Sequence, residues 1–253
     1  WSKFPEFAEE FVAIRLSAGA EKLPQRPAAQ PRVCPRPALL FTACFNRRPC
    51  PMQASPFTAH PWHGVARGAD APAVVTAFIE IVPSDTIKYE IDKASGLMKV
   101  DRPQKYSSLC PTLYGFIPQT YCDENVRHLA RDKKILRGDR DPLDICVLTE
   151  RSITGNGFLV RARPIGGLRL IDDEEVDDKI ISVMAEDPLY ANINSLKEAP
   201  QALIDRIRHY FLTYKDFPGR KQKVEIGAVY EREEALQVIE ASIRDYDSKF
   251  RGA

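Results

Sequence analysis

Three aspartates stand within six residues, Asp139-Arg140-Asp141-Pro142-Leu143-Asp144, and the apolar run Ile145-Cys146-Val147-Leu148 follows at once. Carboxylates this close repel one another, and gathering them without cations is costly. A loop feeding straight into a buried strand holds them together and cannot splay them apart. Hard oxygen donors in such a cluster suit magnesium or manganese. A calcium loop between helices is a poor rival, although Glu150 falls twelfth from Asp139: the sixth position, which needs glycine, holds Asp144, and a strand follows. For this motif alone, a solvated acidic turn is the plainer alternative.

A second patch, Asp172-Asp173-Glu174-Glu175-Val176-Asp177-Asp178-Lys179, lies between two expected strands. By itself it reads as a charged hairpin tip. Two acidic loops at strand ends can nevertheless converge on one rim and share metals. Lys88, Arg102, Lys179 and Lys215 are the cations available to meet an anionic substrate, though singly each reads as surface charge.

The surrounding pattern is one of strands, then helices. Residues 74–82 are β-branched and apolar and stop at Pro83. Residues 86–92 alternate, with Lys88 and Glu90 on one face and Ile87, Tyr89 and Ile91 on the other. Ser95-Gly96 supplies a turn into a returning strand at 97–100, and further strands are expected at 145–148, 158–163, 168–171 and 179–184. Leu203, Ile207, Tyr210, Phe211 and Tyr214 recur at helical spacing behind Pro200. Residues 231–246 place Leu236, Ile239 and Ile243 on one helical face. This order predicts an α+β, mainly β chain: a closed or nearly closed barrel flanked by two C-terminal helices.

Composition narrows the function. A hydrophobic fraction of 44%, a charged fraction of 28% and a net charge of +1 describe a globular protein without strong bias towards nucleic acid or an anionic membrane. No apolar run approaches the ~20 residues of a membrane span. The acids are unevenly spread, with none between Glu21 and Asp70, where Arg, Pro and Ala recur. Residues 1–70 are therefore expected to be a Pro/Arg-rich N-terminal extension and residues 71–253 a single folded domain. The chain begins at Trp1 and its first methionine is Met52, so 1–51 is read as an upstream extension, with an organelle transit peptide as the other reading. Cys34, Cys44, Cys50, Cys110, Cys122 and Cys146 show no C-x-x-C spacing, which argues against structural zinc and fits a reducing, cytoplasmic compartment. His60, His63 and His209 lack ligand spacing.

In order along the chain, Phe78-Ile79-Glu80-Ile81, Ile87-Lys88-Tyr89-Glu90-Ile91-Asp92, Val100-Asp101-Arg102, Tyr114-Gly115, the aspartate motif, Arg163-Pro164-Ile165-Gly166, the second acidic patch and Tyr214-Lys215-Asp216 resemble the soluble family I inorganic pyrophosphatases. The resemblance implies a compact OB-like β-barrel with helices outside it, and hydrolysis of pyrophosphate to two orthophosphates by direct attack of a metal-activated water. It implies three or four magnesium ions, with manganese as a substitute. Asp139, Asp144 and Asp177 match ligands of tightly held metals, Asp141 and Asp172 those of a metal arriving with substrate, and Glu80 a residue supporting a further ion. Asp141 also matches a general base. Lys88, Arg102, Tyr114, Lys179, Tyr214 and Lys215 match phosphoryl contacts, and Glu90 orients its neighbours. A homo-oligomer is implied, a hexamer in preference to a dimer because long extra segments are missing.

Three features depart from that pattern. Cys110 stands where a phosphate-binding tyrosine is expected, and Arg140 replaces the usual glycine. Residues 122–137 form a longer segment, read first as an exposed excursion and otherwise as a lid or subunit contact. Two other classes stay open: a nucleic-acid-binding OB-like module, whose groove here would be lined by repelling aspartates, and an inactive pyrophosphatase relative.

Overall fold

In the computed structural model, residues 58–130, 137–215 and 224–252 are described. Met52, Cys34, Cys44 and Cys50, the cations Arg131, Lys133 and Lys134, and Asp216 lie outside them. The strands are β1 (Val75–Ile81), β2 (Ile87–Ile91), β3 (Met98–Pro103), β4 (Leu113–Phe116), β5 (Arg137–Gly138), β6 (Asp144–Leu148), β7 (Phe158–Asp172), β8 (Glu175–Met184) and β9 (Val224–Glu231). The helices are α1 (Glu124–Leu129), α2 (Gln201–Thr213) and α3 (Arg232–Phe250). No helix among the described residues is long and apolar enough to cross a membrane.

Strand pairing closes a ring. β1 pairs antiparallel with β4 and β7, β4 with β6, and β7 with β8, while β6 and β8 run parallel. A barrel results, abolishing free edges among its own strands. β5 and β9 extend it from β8 and β7, and β2–β3 is a separate hairpin. Gly115 is needed where β4 crosses β1, because a Cβ there would lie 1.8 Å from the carbonyl oxygen of Phe78. One apolar cluster, with Ile79, Ile145, Val176 and Ile180, packs under α3. Another, with Ile81, Leu148, Leu168 and Ile181, packs under α2.

Several expectations are corrected by tertiary structure. The strands expected at 158–163 and 168–171 are one strand, because an irregularity between Pro164 and Gly166 absorbs the bend without ending the pairing. β4 and β9 were not expected, and β9 separates the two long helices. On α3 the buried face centres on Val238, Ile239 and Ser242, with Leu236 and Ile243 at its flank. The second acidic patch is mostly strand; Asp173 and Glu174 make the turn, with φ of 46° and 72°.

Within the described part of 122–137, an exposed excursion is not what forms. Residues 124–129 are α1, with Val126 buried. The Asp245 carboxylate of α3 accepts hydrogen bonds from the Asp123, Asn125 and Val126 amides, at 3.0, 3.1 and 3.2 Å, and from Asn125 Nδ2 at 2.7 Å. A carboxylate at a helix start satisfies amides that the helix itself leaves unpaired. Upstream, Trp62 is buried and its Nε1 donates to the Thr120 carbonyl at 2.8 Å.

Asp245→Ala is expected to destabilise the protein by about 3 kcal/mol, since four donors lose a charged acceptor. Urea unfolding measures it; a loss below about 1 kcal/mol would mean that α1 is held chiefly by other groups.

Candidate active site

Alternation along β8 sends Glu175, Asp177 and Lys179 to one side, where they line a cavity of about 390 Å³. The remaining walls are Lys88 and Glu90 of β2, Asp101 and Arg102 of β3, Tyr114 of β4, Asp139 and Asp141 of the aspartate loop, Asp144 of β6, Asp172 at the end of β7, and Tyr214 and Lys215 after α2. Eight carboxylates and four basic side chains therefore share one space.

The acids are held by bases and by each other's neighbours. Asp144 and Lys179 face each other directly across the parallel β6–β8 pair. Lys179 donates to both Asp144 and Asp177, the latter at 2.5 Å, and Tyr114 OH donates to Asp144 at 2.5 Å. Lys215 donates to Asp172 at 2.5 Å. Lys88 donates to Glu90 and Asp101, each at 2.8 Å, and Arg102 also donates to Asp101. The Asp141 amide donates to the Asp139 carboxylate at 3.0 Å, while the Asp141 carboxylate pairs with Lys93.

Electrostatics follow from this crowding. Burial, with repulsion from Asp177 next, pushes the Asp139 carboxyl well above its ordinary value. Burial also raises Asp144, with Lys179 opposing and Asp177 adding to the rise. Burial works against the charge on Lys179, yet Asp144 and Asp177 outweigh it and its ammonium titrates well above the usual lysine range. Among the described residues, no three acids or imidazoles already converge as a metal cage.

All the residues expected at the site line this cavity except Glu80. Glu80 is buried in β1 and accepts a hydrogen bond from the Ile91 amide at 2.7 Å. Its carboxyl is pushed up to about 8, chiefly by burial. Sequence reasoning gave no role to Asp101, Glu175 or Lys93. The first two carried a usable signal: Asp101 adjoins Arg102 in the hairpin, and Glu175 shares the face of Asp177 and Lys179. Lys93 carried none, because its contact with Asp141 spans 48 residues.

The two departures at single positions lie outside the cavity lining. Cys110 is buried in the apolar cluster under α2. Arg140 is exposed, with φ of 61°, and its nearest charged partner is Asp123 at 4.0 Å. Left-handed backbone is the reason glycine suits this position.

A family model described as inorganic pyrophosphatase matches residues 77–247. An inorganic pyrophosphatase of Chlamydia caviae is 48% identical over 199 residues, covering 76% of this chain and 92% of that protein. A soluble inorganic pyrophosphatase of Oryza sativa subsp. indica is 39% identical over 188 residues, covering 74% and 79%. Among solved structures, the inorganic pyrophosphatase from Thermus thermophilus superposes with a TM-score of 0.63 at 31% identity, covering 75% of this chain and 99% of that one.

Two outcomes follow from the geometry. Arg140→Gly removes a left-handed side-chain penalty and is expected to raise stability by roughly 0.5–1 kcal/mol in urea unfolding; a loss would show that the arginine makes a compensating contact. For Glu80, the folded protein keeps a proton that the unfolded chain releases, so its contribution is present below pH 4.5 and lost as pH rises to about 8. With chelator present, Glu80→Gln should remove a stability decline on the order of 4 kcal/mol across that window. Parallel pH profiles for both proteins would refute the assignment.

Proposed function

The chain belongs to the inorganic pyrophosphatase family, and on that premise we propose how its cavity carries out the metal-dependent hydrolysis of inorganic pyrophosphate to two orthophosphates. The observation that carries the reading is the charge of the cavity, whose eight carboxylates outnumber its four basic side chains. Pyrophosphate is a small, highly charged anion, and an acid-rich pocket accepts it only with cations between. The donor set fits hard divalent metals: carboxylate oxygens, crowded and buried enough that burial and mutual repulsion push the Asp139 and Asp144 carboxyls up. Asp139, Asp144 and Asp177 would hold the resident ions, Asp141 and Asp172 one arriving with substrate, and Glu80, behind the lining in β1, would support a further ion. Magnesium, three or four ions per site, is the expected metal and manganese its substitute. When bound, these cations neutralise charge on the phosphoryl oxygens and lower the pKa of the attacking water.

The protein's own groups do the rest. Asp141 lines the cavity, is about half exposed, and takes the proton from the attacking water. Lys88, Lys179 and Lys215 are anchored by acids at the cavity wall, so their ammonium groups are already aimed at an anion there. With Arg102, Tyr114 and Tyr214 they hold phosphoryl oxygens and offset charge on the leaving phosphate. Glu90 orients Lys88 and Lys99. Among the described residues, Cys110, Cys122 and Cys146 are buried with thiols pushed up by burial, which argues against a thiolate nucleophile there. Catalysis is assigned to residues 71–253, in a homo-oligomer with a hexamer preferred.

Phosphate release from pyrophosphate, with and without magnesium, tests this reading. Asp141→Asn is expected to lower turnover roughly 10³-fold while circular dichroism stays unchanged. Wild-type turnover in that variant would reject Asp141 as the base, and release independent of any divalent metal would reject the metal assignment. The sedimentation mass of the same protein separates hexamer from dimer.

A further inference from the structure

Arg169 of β7 and Asp178 of β8 stand directly opposite each other in the ladder, beside the pairs that carry Asp177 and Lys179. Strand alternation turns Asp178 away from the cavity. Its side chain is fully buried, between Val176 and Ile180 of the apolar cluster under α3. Arg169 Nε lies 3.2 Å from Asp178 Oδ1, and Tyr230 OH donates to the same oxygen at 2.8 Å. Arg169 Nη1 reaches two further elements: it donates to Glu234 of α3 at 3.0 Å and to the Leu129 carbonyl at the end of α1 at 3.2 Å. The guanidinium also lies over the Tyr230 ring, 5.2 Å from its centre. Gly167 leaves room for that ring, since a Cβ there would come within 2.4 Å of it.

As a stabilising device this pair is poor. Arg169 Nη2 is buried without a protein partner, and buried ion pairs are often no better than apolar residues of similar volume. What the pair supplies is direction. A slip of one residue in β8 would turn Asp178 into the cavity and bury Asp177 and Lys179 in the apolar cluster. The tie to α1 reaches the aspartate loop as well. Cys122, just before α1, donates its amide to the Asp141 carbonyl and accepts from the Arg140 amide, both at 2.9 Å.

We propose that Arg169 and Asp178 are positioning residues for metal binding: their cross-strand pair locks the register that presents Asp172, Asp177 and Lys179, and through Leu129 it ties α1 and the aspartate loop to the same hairpin. The proposal rests on the reading of the cavity acids as metal ligands.

The test is magnesium binding by titration calorimetry on the full-length chain, at a temperature where circular dichroism shows each protein folded, alongside the magnesium dependence of phosphate release. Two variants are compared with wild type: Asp178→Asn, and an apolar replacement combining Arg169→Met, Asp178→Leu and Tyr230→Phe. Both are expected to bind magnesium at least about tenfold more weakly and to need a correspondingly higher magnesium concentration for half-maximal release, with a smaller change in kcat at saturating metal. The apolar replacement is also expected to keep a Tm close to wild type. Wild-type magnesium affinity in either folded variant overturns the proposal, whatever the Tm. If the apolar replacement does not fold, Asp178→Asn decides by the same measure. A wild-type chain that binds no magnesium overturns the ligand reading and this proposal with it, whereas normal wild-type binding with unaffected variants overturns this proposal alone.

Discussion

Asp139, Asp144 and Asp177 arrive from the aspartate loop, β6 and β8, and the repulsion among them is offset in the protein by the buried ammonium of Lys179, which bonds to Asp144 and Asp177. Every other feature of the cavity is arranged around that excess of like charge. Lys215 answers Asp172, Lys88 answers Glu90 and Asp101, and Lys93 answers Asp141. Such pairs hold the acids close without letting them collapse on one another. They also keep bases and acids interleaved, which is what a site for a metal-bound anion requires.

Holding like charges together needs a scaffold that cannot relax, and the closed barrel supplies one. Asp144 begins β6 where it runs parallel to β8, so its partner Lys179 is set by backbone register. The β7–β8 hairpin brings Asp172, Glu175 and Asp177 to the same rim. Behind them, Asp245 holds the start of α1 and Arg169 its end. That short helix, in turn, backs the loop carrying Asp139 and Asp141 through the amide and carbonyl of Cys122. The chemistry sits at strand ends and loops; its precision comes from groups one layer further in.

Much of this was legible in the residues. The aspartate motif and the alternation of Lys88 and Glu90 pointed to the cavity they line, whereas Tyr214 and Lys215 were placed there only by the family resemblance. Glu175 and Asp101 were passed over although their strand positions pointed the same way. Other readings failed for a physical reason. Pro164 and the glycines after it look like a strand terminator, yet a bulge lets β7 continue because β8 and β9 supply partners on both sides. Residues 124–129 carry too short an apolar pattern to announce a helix; α1 exists because Asp245, 122 residues from Asp123, accepts its first amides.

Local chemistry by itself determined only the kinds of group present: carboxylates clustered closely enough to call for cations, and a strand at residues 86–92 whose alternation puts Lys88 and Glu90 on one face. Those properties reside in neighbouring residues and need no fold to be read. Only tertiary structure decided that the two acidic segments share one cavity, that Arg140 occupies a backbone conformation made for glycine, and that Arg169 and Asp178 meet behind the site. These depend on strand register and chain closure over long separations, where the favourable energy belongs to pairs of residues and is invisible in either one alone.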